Sequence, residues 1–163
     1  PVADGVEVQY LGEPVGMGPI RLREDTGRTF DHWDRFFLPS IAQIEYAVEG
    51  WFRIINTIVH LPMSRFRTRA WFVVRFRSRL PAAAVRPVVR QRGKQILRQD
   101  ARALAHQTER IRSLGGEHYA STELDLLGNA IWHLLRHAER AELPGGGDRS
   151  AAMISERTVV FEA

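Results

Sequence analysis

The run RFRTRAWFVVRFRSRL, Arg65 to Leu80, and the run GKQILRQDARALAHQTERIRSL, Gly93 to Leu114, decide the fold between them. In the first, Arg65, Arg67, Arg69, Arg75, Arg77 and Arg79 hold odd positions, and Phe66, Ala70, Phe72, Val74 and Phe76 hold even ones. Period two with apolar residues on one side predicts an antiparallel strand buried on one face, its Arg face wet or partner-bound. Trp71 and Val73 interrupt the Arg face, so part of that face is expected to be covered. Pro81 ends the sheet region, and beyond it the period becomes helical. Wound at 3.6 residues per turn, Ile96, Leu97, Ala103, Leu104, Gln107, Ile111 and Leu114 share one side, opposite Arg98, Arg102, Glu109 and Arg112. The helix is expected from Ala82 or Pro87 to Leu114, stopped by Gly115-Gly116.

Working outward from this junction, WFRIINTIVHL (51–61) is β-branched and aromatic, which favours a strand, and Pro62-Met-Ser64 is expected to turn the chain. Phe36 to Val48 reads as a strand entered through Pro39, and Val6 to Leu11 as a short one. GEPVGMGPI between them, and Asp25-Thr-Gly27, read as loop and tight turn. Downstream, Ser121 or Thr122 is placed to cap a second helix running to Glu142. Asp125, three residues after Thr122, gives a capping-box spacing. Leu124, Leu127, Ile131, Leu134 and Ala138 make its apolar face. A flexible loop is expected over 143–155, beginning with Leu143-Pro-Gly-Gly-Gly147, and a last strand or tail over Arg157 to Glu162. Strands followed by long helices specify α+β, an antiparallel sheet with helices packed across it.

Length and composition narrow the function classes. A chain of 163 residues fits one domain, and 44% hydrophobic with 26% charged residues is ordinary for a globular protein. No apolar run reaches the roughly 18 residues of a membrane span. The sequence has no cysteine, which excludes disulfides, thiolate zinc sites and Cys-ligated iron–sulfur clusters within it; this fits a cytoplasmic protein. The first residue is Pro1 and a strand pattern follows at once, so the chain reads as a piece of a longer protein. The net charge of +4 is unevenly spread, because Arg53 to Arg98 holds many Arg, one Lys and no acid. Such a block suits nucleic acid, an anionic membrane or an acidic protein, or is a solvated sheet face. No zinc finger, helix-turn-helix or aromatic RNA-binding motif accompanies it, so no nucleic-acid partner is expected.

One residue is out of place. Asp100 falls in the middle of the apolar stripe of the first helix. A buried, unpartnered carboxylate costs several kcal/mol or takes up a proton. Asp100 therefore calls for a buried Arg or backbone amides, or else for a metal. His133 and His137, four apart on the second helix, lack a third ligand and the glutamate of a zincin motif, since Leu134 stands in its place. His60 reads as a structural or pocket-lining residue. Asn56, polar within an apolar strand, either points into a pocket or bonds a neighbour. No nucleophile elbow, phosphate loop or dinucleotide fingerprint is present.

Four segments together resemble one family. FFLPSIAQIEY (36–46), TRAWFVVRF (68–76), ILRQDARALAHQTERI (96–111) and GGEHYASTELDLLG (115–128) are similar to the C-terminal part of Rieske non-haem iron oxygenases of the pheophorbide a oxygenase and vanillate demethylase type. The resemblance covers about residues 30 to 140. It implies a partial helix-grip, START-like fold, a curved antiparallel sheet with a long C-terminal helix and a second helix. It also implies a mononuclear Fe(II) held by two histidines and one aspartate. Gln99-Asp100 with Gln107 matches the family's helix motif, so Asp100 is implied as the metal ligand. Ile96, Leu97 and Asn56 would then border the substrate pocket, and Gln107 would lie behind the ligand as a hydrogen-bonding group.

The departures from the family are as informative. The H-x4-H spacing of its histidine ligands does not occur here, and neither do the cysteines of its [2Fe–2S] Rieske cluster. The resemblance then implies that residues 1–163 are the C-terminal part of an oxygenase catalytic domain, with the Rieske domain and the histidine segment absent. The intact enzyme would be a monooxygenase or dioxygenase, carrying out O2-dependent hydroxylation or demethylation of an apolar, ring-containing substrate. Its electrons would come from NAD(P)H through a reductase or ferredoxin, in a homotrimer, and the fragment alone would be inactive. The alternative is a non-enzymatic helix-grip carrier of a hydrophobic ligand. It predicts a cavity made by these residues alone, with Asp100 paired to an internal Arg.

Overall fold

The computed structural model describes residues 5–11, 16–17, 20–21, 30–116, 120–122 and 125–142. Strand β1 (Gly5–Tyr10) is followed by two short paired strands, β2 (Gly16–Met17) and β3 (Ile20–Arg21). Four long strands come next: β4 (Phe30–Phe37), β5 (Ile41–Val48), β6 (Phe52–Ser64) and β7 (Arg67–Ser78). Helix α1 (Ala82–Ser113) and helix α2 (Leu126–Glu142) complete the described fold. The main sheet is antiparallel and curved, in the order β1-β4-β5-β6-β7. The architecture is α+β and consistent with a helix-grip-like arrangement, as the change of period at Pro81 indicates.

Two strand boundaries differ from the sequence reading, each at a proline. Phe36 to Val48 is two strands rather than one, with Leu38-Pro39-Ser40 as the turn between β4 and β5 and a cis Leu38–Pro39 peptide. Proline has no N–H to give a ladder and belongs in turns or where no partner is needed. Conversely, Pro62 does not turn the chain. β6 runs on to Ser64, with an irregular register between Pro62 and Ser64. β5 pairs with β6 only as far as Val59, so the side of β6 facing β5 has no strand at Pro62, and the missing N–H is not called on. α1 begins at Ala82, one of the two starts the sequence offered, with Pro87 in its second turn. The GEPVGMGPI stretch, read as loop or turn, contains β2 and the first residue of its partner β3. The turn expected at Asp25–Gly27, the loop over 143–155 and the tail over 157–162 lie outside the described residues.

Both helix ends are built from local chemistry. Leu114 caps α1, Gly115 takes φ +77, and the Gly116 N–H donates to the Ile111 carbonyl at 3.1 Å. This is a Schellman closure, whose left-handed residue favours glycine. Ahead of α2 the Asp125 carboxylate accepts the Thr122 backbone N–H at 2.9 Å, the backward bond of a capping box. The helix itself begins later than expected, at Leu126. α2 packs against β1, and Leu127, Ile131, Leu134 and Ala138 along it are half-buried. Leu124 lies outside the described residues.

The core is small and sits at the β4–β5 hairpin. Among the described residues Phe36 and Val48 are the buried apolar side chains, with His32 and Glu45 the buried polar ones. α1 starts just past the end of β7, and Arg112 in its last turn lies 4.7 Å from the ring of Phe66 at the β6–β7 turn. The helix thus runs back along the strand it follows. It nevertheless buries none of its residues. The apolar stripe expected to be covered is largely open, with Ile96 at 55%, Leu104 at 60% and Leu114 at 70% exposure, while Leu97 and Ile111 are half-buried. The expected half-burial of β7 is met only at Phe76 and Ser78, because every residue from Arg67 to Arg75 is exposed.

Candidate functional site

Alternation along the strands divides the sheet into two chemically different faces. In antiparallel register, directly opposed residues share a face. Tyr10, His32, Tyr46, Ile54 and Phe76 stand in one row across the sheet, and Val8, Asp34, Ile44, Asn56 and Val74 in the next. Phe36, Ala42, Ile58 and Phe72 make a third. His60 lies further along the same face, opposite Ala70. This face is mainly apolar, with His32, Asp34, Asn56 and His60 as polar side chains within these rows, which makes it the candidate binding surface. An apolar wall with a few placed polar groups is the usual make-up of a small-molecule site.

Two of those polar groups are held firmly. The His32 ring lies between Tyr10 and Tyr46, with centroid distances of 4.6 and 4.4 Å and interplanar angles of 22° and 26°. Its Nε2 donates to Asp34 Oδ1 at 3.1 Å. His32 and Asp34 are two apart on one strand, so both project to the same side. The sequence reading began the strand at Phe36 and therefore passed over this pair, although the DHWD spacing carries it. His60 Nδ1 donates to the Ser40 carbonyl at 3.2 Å, and Ser40 Oγ donates to the His60 carbonyl at 2.6 Å. A carbonyl only accepts, so Nδ1 carries the proton and Nε2 of the neutral ring keeps its lone pair.

The opposite face carries an ion-pair network that sequence reading missed. Arg35 binds Glu7 through Nε and donates from Nη1 to Glu45 Oε2 at 2.8 Å. Arg53 Nε reaches Glu45 Oε1 at 2.6 Å. Gln43 lies within 3.4 Å of Arg35 Nη1 and donates to Thr57 Oγ1 at 3.3 Å. Burial by itself pushes the Glu45 carboxyl up, but the hydrogen bonds and charges of Arg53 and Arg35 outweigh it and hold the group below its ordinary value. For Arg35, burial pulls down and Glu7 and Glu45 more than compensate, so the guanidinium stays charged. Four strands contribute to this cluster, which no single segment of sequence displays.

The residues singled out from sequence lie on two different elements. Asp100 is midway along α1 and exposed, which corrects the expectation of a buried carboxylate: the stripe that surrounds it has no cover among the described residues. Ile96 and Gln107 are exposed as well, and Leu97 is half-buried. Asn56 is half-buried on β6, in register between Ile44 and Val74. Among the described residues no three of His, Cys, Asp and Glu come close enough together to hold a metal ion. His133 is exposed and His137 half-buried on α2.

No described helix is long and apolar enough to cross a membrane. Compared with protein-family models, with curated proteins and with solved structures, the chain gives no match.

Proposed function

We propose that this chain is the C-terminal part of the catalytic domain of a Rieske-type oxygenase. The intact protein would carry out O2-dependent hydroxylation or demethylation of an apolar, ring-containing substrate. The observation that carries the reading is where the motif carboxylate falls. Asp100, in Gln99-Asp100 with Gln107, lies midway along a 32-residue helix that follows directly on an antiparallel sheet. It stands in an apolar stripe with Ile96, Leu104 and Leu114, all exposed. An uncovered stripe of this kind is favourable to bury, at about 25 cal/mol per Å2 of apolar surface. A carboxylate at its centre is then poised to be enclosed with a cation.

The described residues do not complete such a site. Asp100 is one ligand of the implied triad, and no trio of ligands gathers around it. On this reading the two histidines, and the cysteines of the [2Fe–2S] cluster, are supplied by polypeptide outside the 163 residues. Bound iron would supply the site of O2 activation. The residues of this chain would contribute a carboxylate at Asp100 and an apolar sheet face, with Asn56 and His60 to orient polar groups of the substrate. Electron delivery from a reductase or ferredoxin, and a homotrimeric assembly, belong to the same proposal.

The carrier alternative has less support. It needs α1 closed over the sheet and Asp100 paired to an Arg. α1 buries none of its residues, and Asp100 makes no ion pair among the described residues. The deciding experiment measures iron content and substrate-dependent O2 uptake of the protein carrying its upstream polypeptide, wild type against Asp100→Ala. Loss of iron and turnover, with the fold and the cluster spectrum intact, supports the assignment. An iron content unchanged by Asp100→Ala removes Asp100 from the ligand set, and a wild-type protein without iron ends the oxygenase reading.

A further inference from the structure

β7 is the last strand of the sheet, so the backbone N–H and C=O groups along its outer side have no ladder partner in the order β1-β4-β5-β6-β7. It has 12 residues, about 40 Å of edge at 3.3 Å per residue. Natural sheets blunt such an edge with charge, with a bulge or with a covering helix, because an open apolar edge recruits other chains. Here the covering helix is missing in effect: α1 runs back along β7 and buries none of its residues. Four consecutive large apolar residues lie open at the middle of the edge, Trp71 at 47%, Phe72 at 45%, Val73 at 60% and Val74 at 42%. Charge flanks them, with Arg67 and Arg69 before and Arg75 and Arg77 after, all on the face of Trp71 and Val73. None of these four Arg forms an ion pair among the described residues. Glu45, the buried acid of that face, already holds Arg35 and Arg53.

We propose that the free edge of β7 is completed by an extended, acidic segment of a protein partner, added as a further antiparallel strand. This inference does not depend on the oxygenase reading. Strand addition satisfies the backbone edge, while alternate side chains set specificity. Acidic residues at alternate positions of the incoming strand would stand opposite Arg69, Arg75 and Arg77. Its other face would lay apolar side chains beside Phe72 and Val74.

The charge pattern chooses this occupant over two others. A second copy pairing through β7 would overlap its own Trp71–Val74 run antiparallel. In each register that does so an Arg faces an Arg, for example Arg69 against Arg75 or Arg69 against Arg77, and like charges directly opposed are destabilising. Nucleic acid could meet the Arg residues, but it has no backbone to complete a β-ladder. The stretch from Arg53 to Arg98 also holds one Lys among its many Arg, and protein interfaces favour Arg while losing Lys.

The test uses the full chain and a soluble peptide of alternating Glu and Val, matched in length to β7. Three probes accompany it: the same peptide with alternate amides N-methylated, an alternating Lys–Val peptide, and an oligothymidylate. Hydrogen exchange of the β7 amides and the fluorescence of Trp71 are read, with Trp71→Phe identifying the emission. Exchange slowed about tenfold across residues 68–76 by the Glu–Val peptide alone is the expected result. The triple variant Arg69→Glu, Arg75→Glu, Arg77→Glu, checked for fold by circular dichroism, should then prefer the Lys–Val peptide. The proposal is overturned if the Glu–Val peptide gives no protection, or if the N-methylated peptide protects equally. It is also overturned if oligothymidylate gives the same protection, or if the chain sediments as a dimer with β7 already protected.

Discussion

Ser40 and His60 hold each other by two side-chain bonds in opposite directions: His60 Nδ1 donates to the Ser40 carbonyl at 3.2 Å, and Ser40 Oγ donates to the His60 carbonyl at 2.6 Å. The His60 backbone N–H adds a third bond to the Ser40 carbonyl at 3.0 Å. The latch continues the β5–β6 ladder one step past Ile41, where regular pairing ends. It also fixes the ring tautomer. Ser40→Ala removes one donor from a half-buried carbonyl and should cost about 1 kcal/mol of unfolding free energy in urea titration. Nitrogen-15 NMR of the neutral His60 ring should place its proton on Nδ1; a neutral ring protonated on Nε2 alone would contradict the geometry.

Glu45 gives the sheet an acid-sensitive element. Its carboxyl is held below the ordinary value of 4.5 by Arg53 and Arg35 against the opposing effect of burial. A depressed folded value means that the unfolded chain takes up the proton first as pH falls. The contribution is therefore complete above 4.5 and is lost as pH falls through the lower folded value. Glu45→Gln should cost about 3 kcal/mol near neutral pH, because it leaves the largely buried Arg35 with one acid partner instead of two. The gap between wild type and variant should close on acidification. A gap constant from pH 7 to pH 2 would show that Glu45 acts by packing alone.

At Gly5 an added methyl group would run into backbone. A Cβ built there stands 2.6 Å from the Phe36 carbonyl oxygen and 3.2 Å from Phe37 Cδ1. Since Gly5 opposes Phe37 in register, the strain falls on the β1–β4 pairing. Gly5→Ala should cost about 1–3 kcal/mol and should speed amide exchange over Val6–Val8 before the rest of the sheet. Uniform loss of protection would place the effect elsewhere.

Val48 and Leu104 make a contrasting pair. Val48 is 2% exposed and Leu104 is 60% exposed. In this chain Val48→Ala should cost about 2 kcal/mol. Leu104→Ala should stay within about 0.5 kcal/mol. Repeating the Leu104 variant in the protein with its upstream polypeptide tests the proposed function from a different side. If the α1 stripe is covered there, the same change should cost 2 kcal/mol or more. A cost unchanged from the isolated chain would mean the stripe stays open.

The local period of the sequence determined the elements. Alternation from Arg65 to Leu80 and the 3.6 spacing from Ile96 to Leu114 depend on neighbours a few residues away, so the strand, the long helix, the stop at Gly115 and the Thr122–Asp125 cap could all be read directly. Tertiary structure decided which of the apolar faces have a partner. The stripe around Asp100 looks like a buried one because periodicity records an apolar side and not what lies against it. The Arg35–Glu45–Arg53 cluster and the His32 stack between Tyr10 and Tyr46 arise from strand register, which joins residues from different strands with no mark in local sequence. Strand limits at Pro39 and Pro62 were settled the same way, since a proline is excluded only where a neighbouring strand asks for its missing N–H.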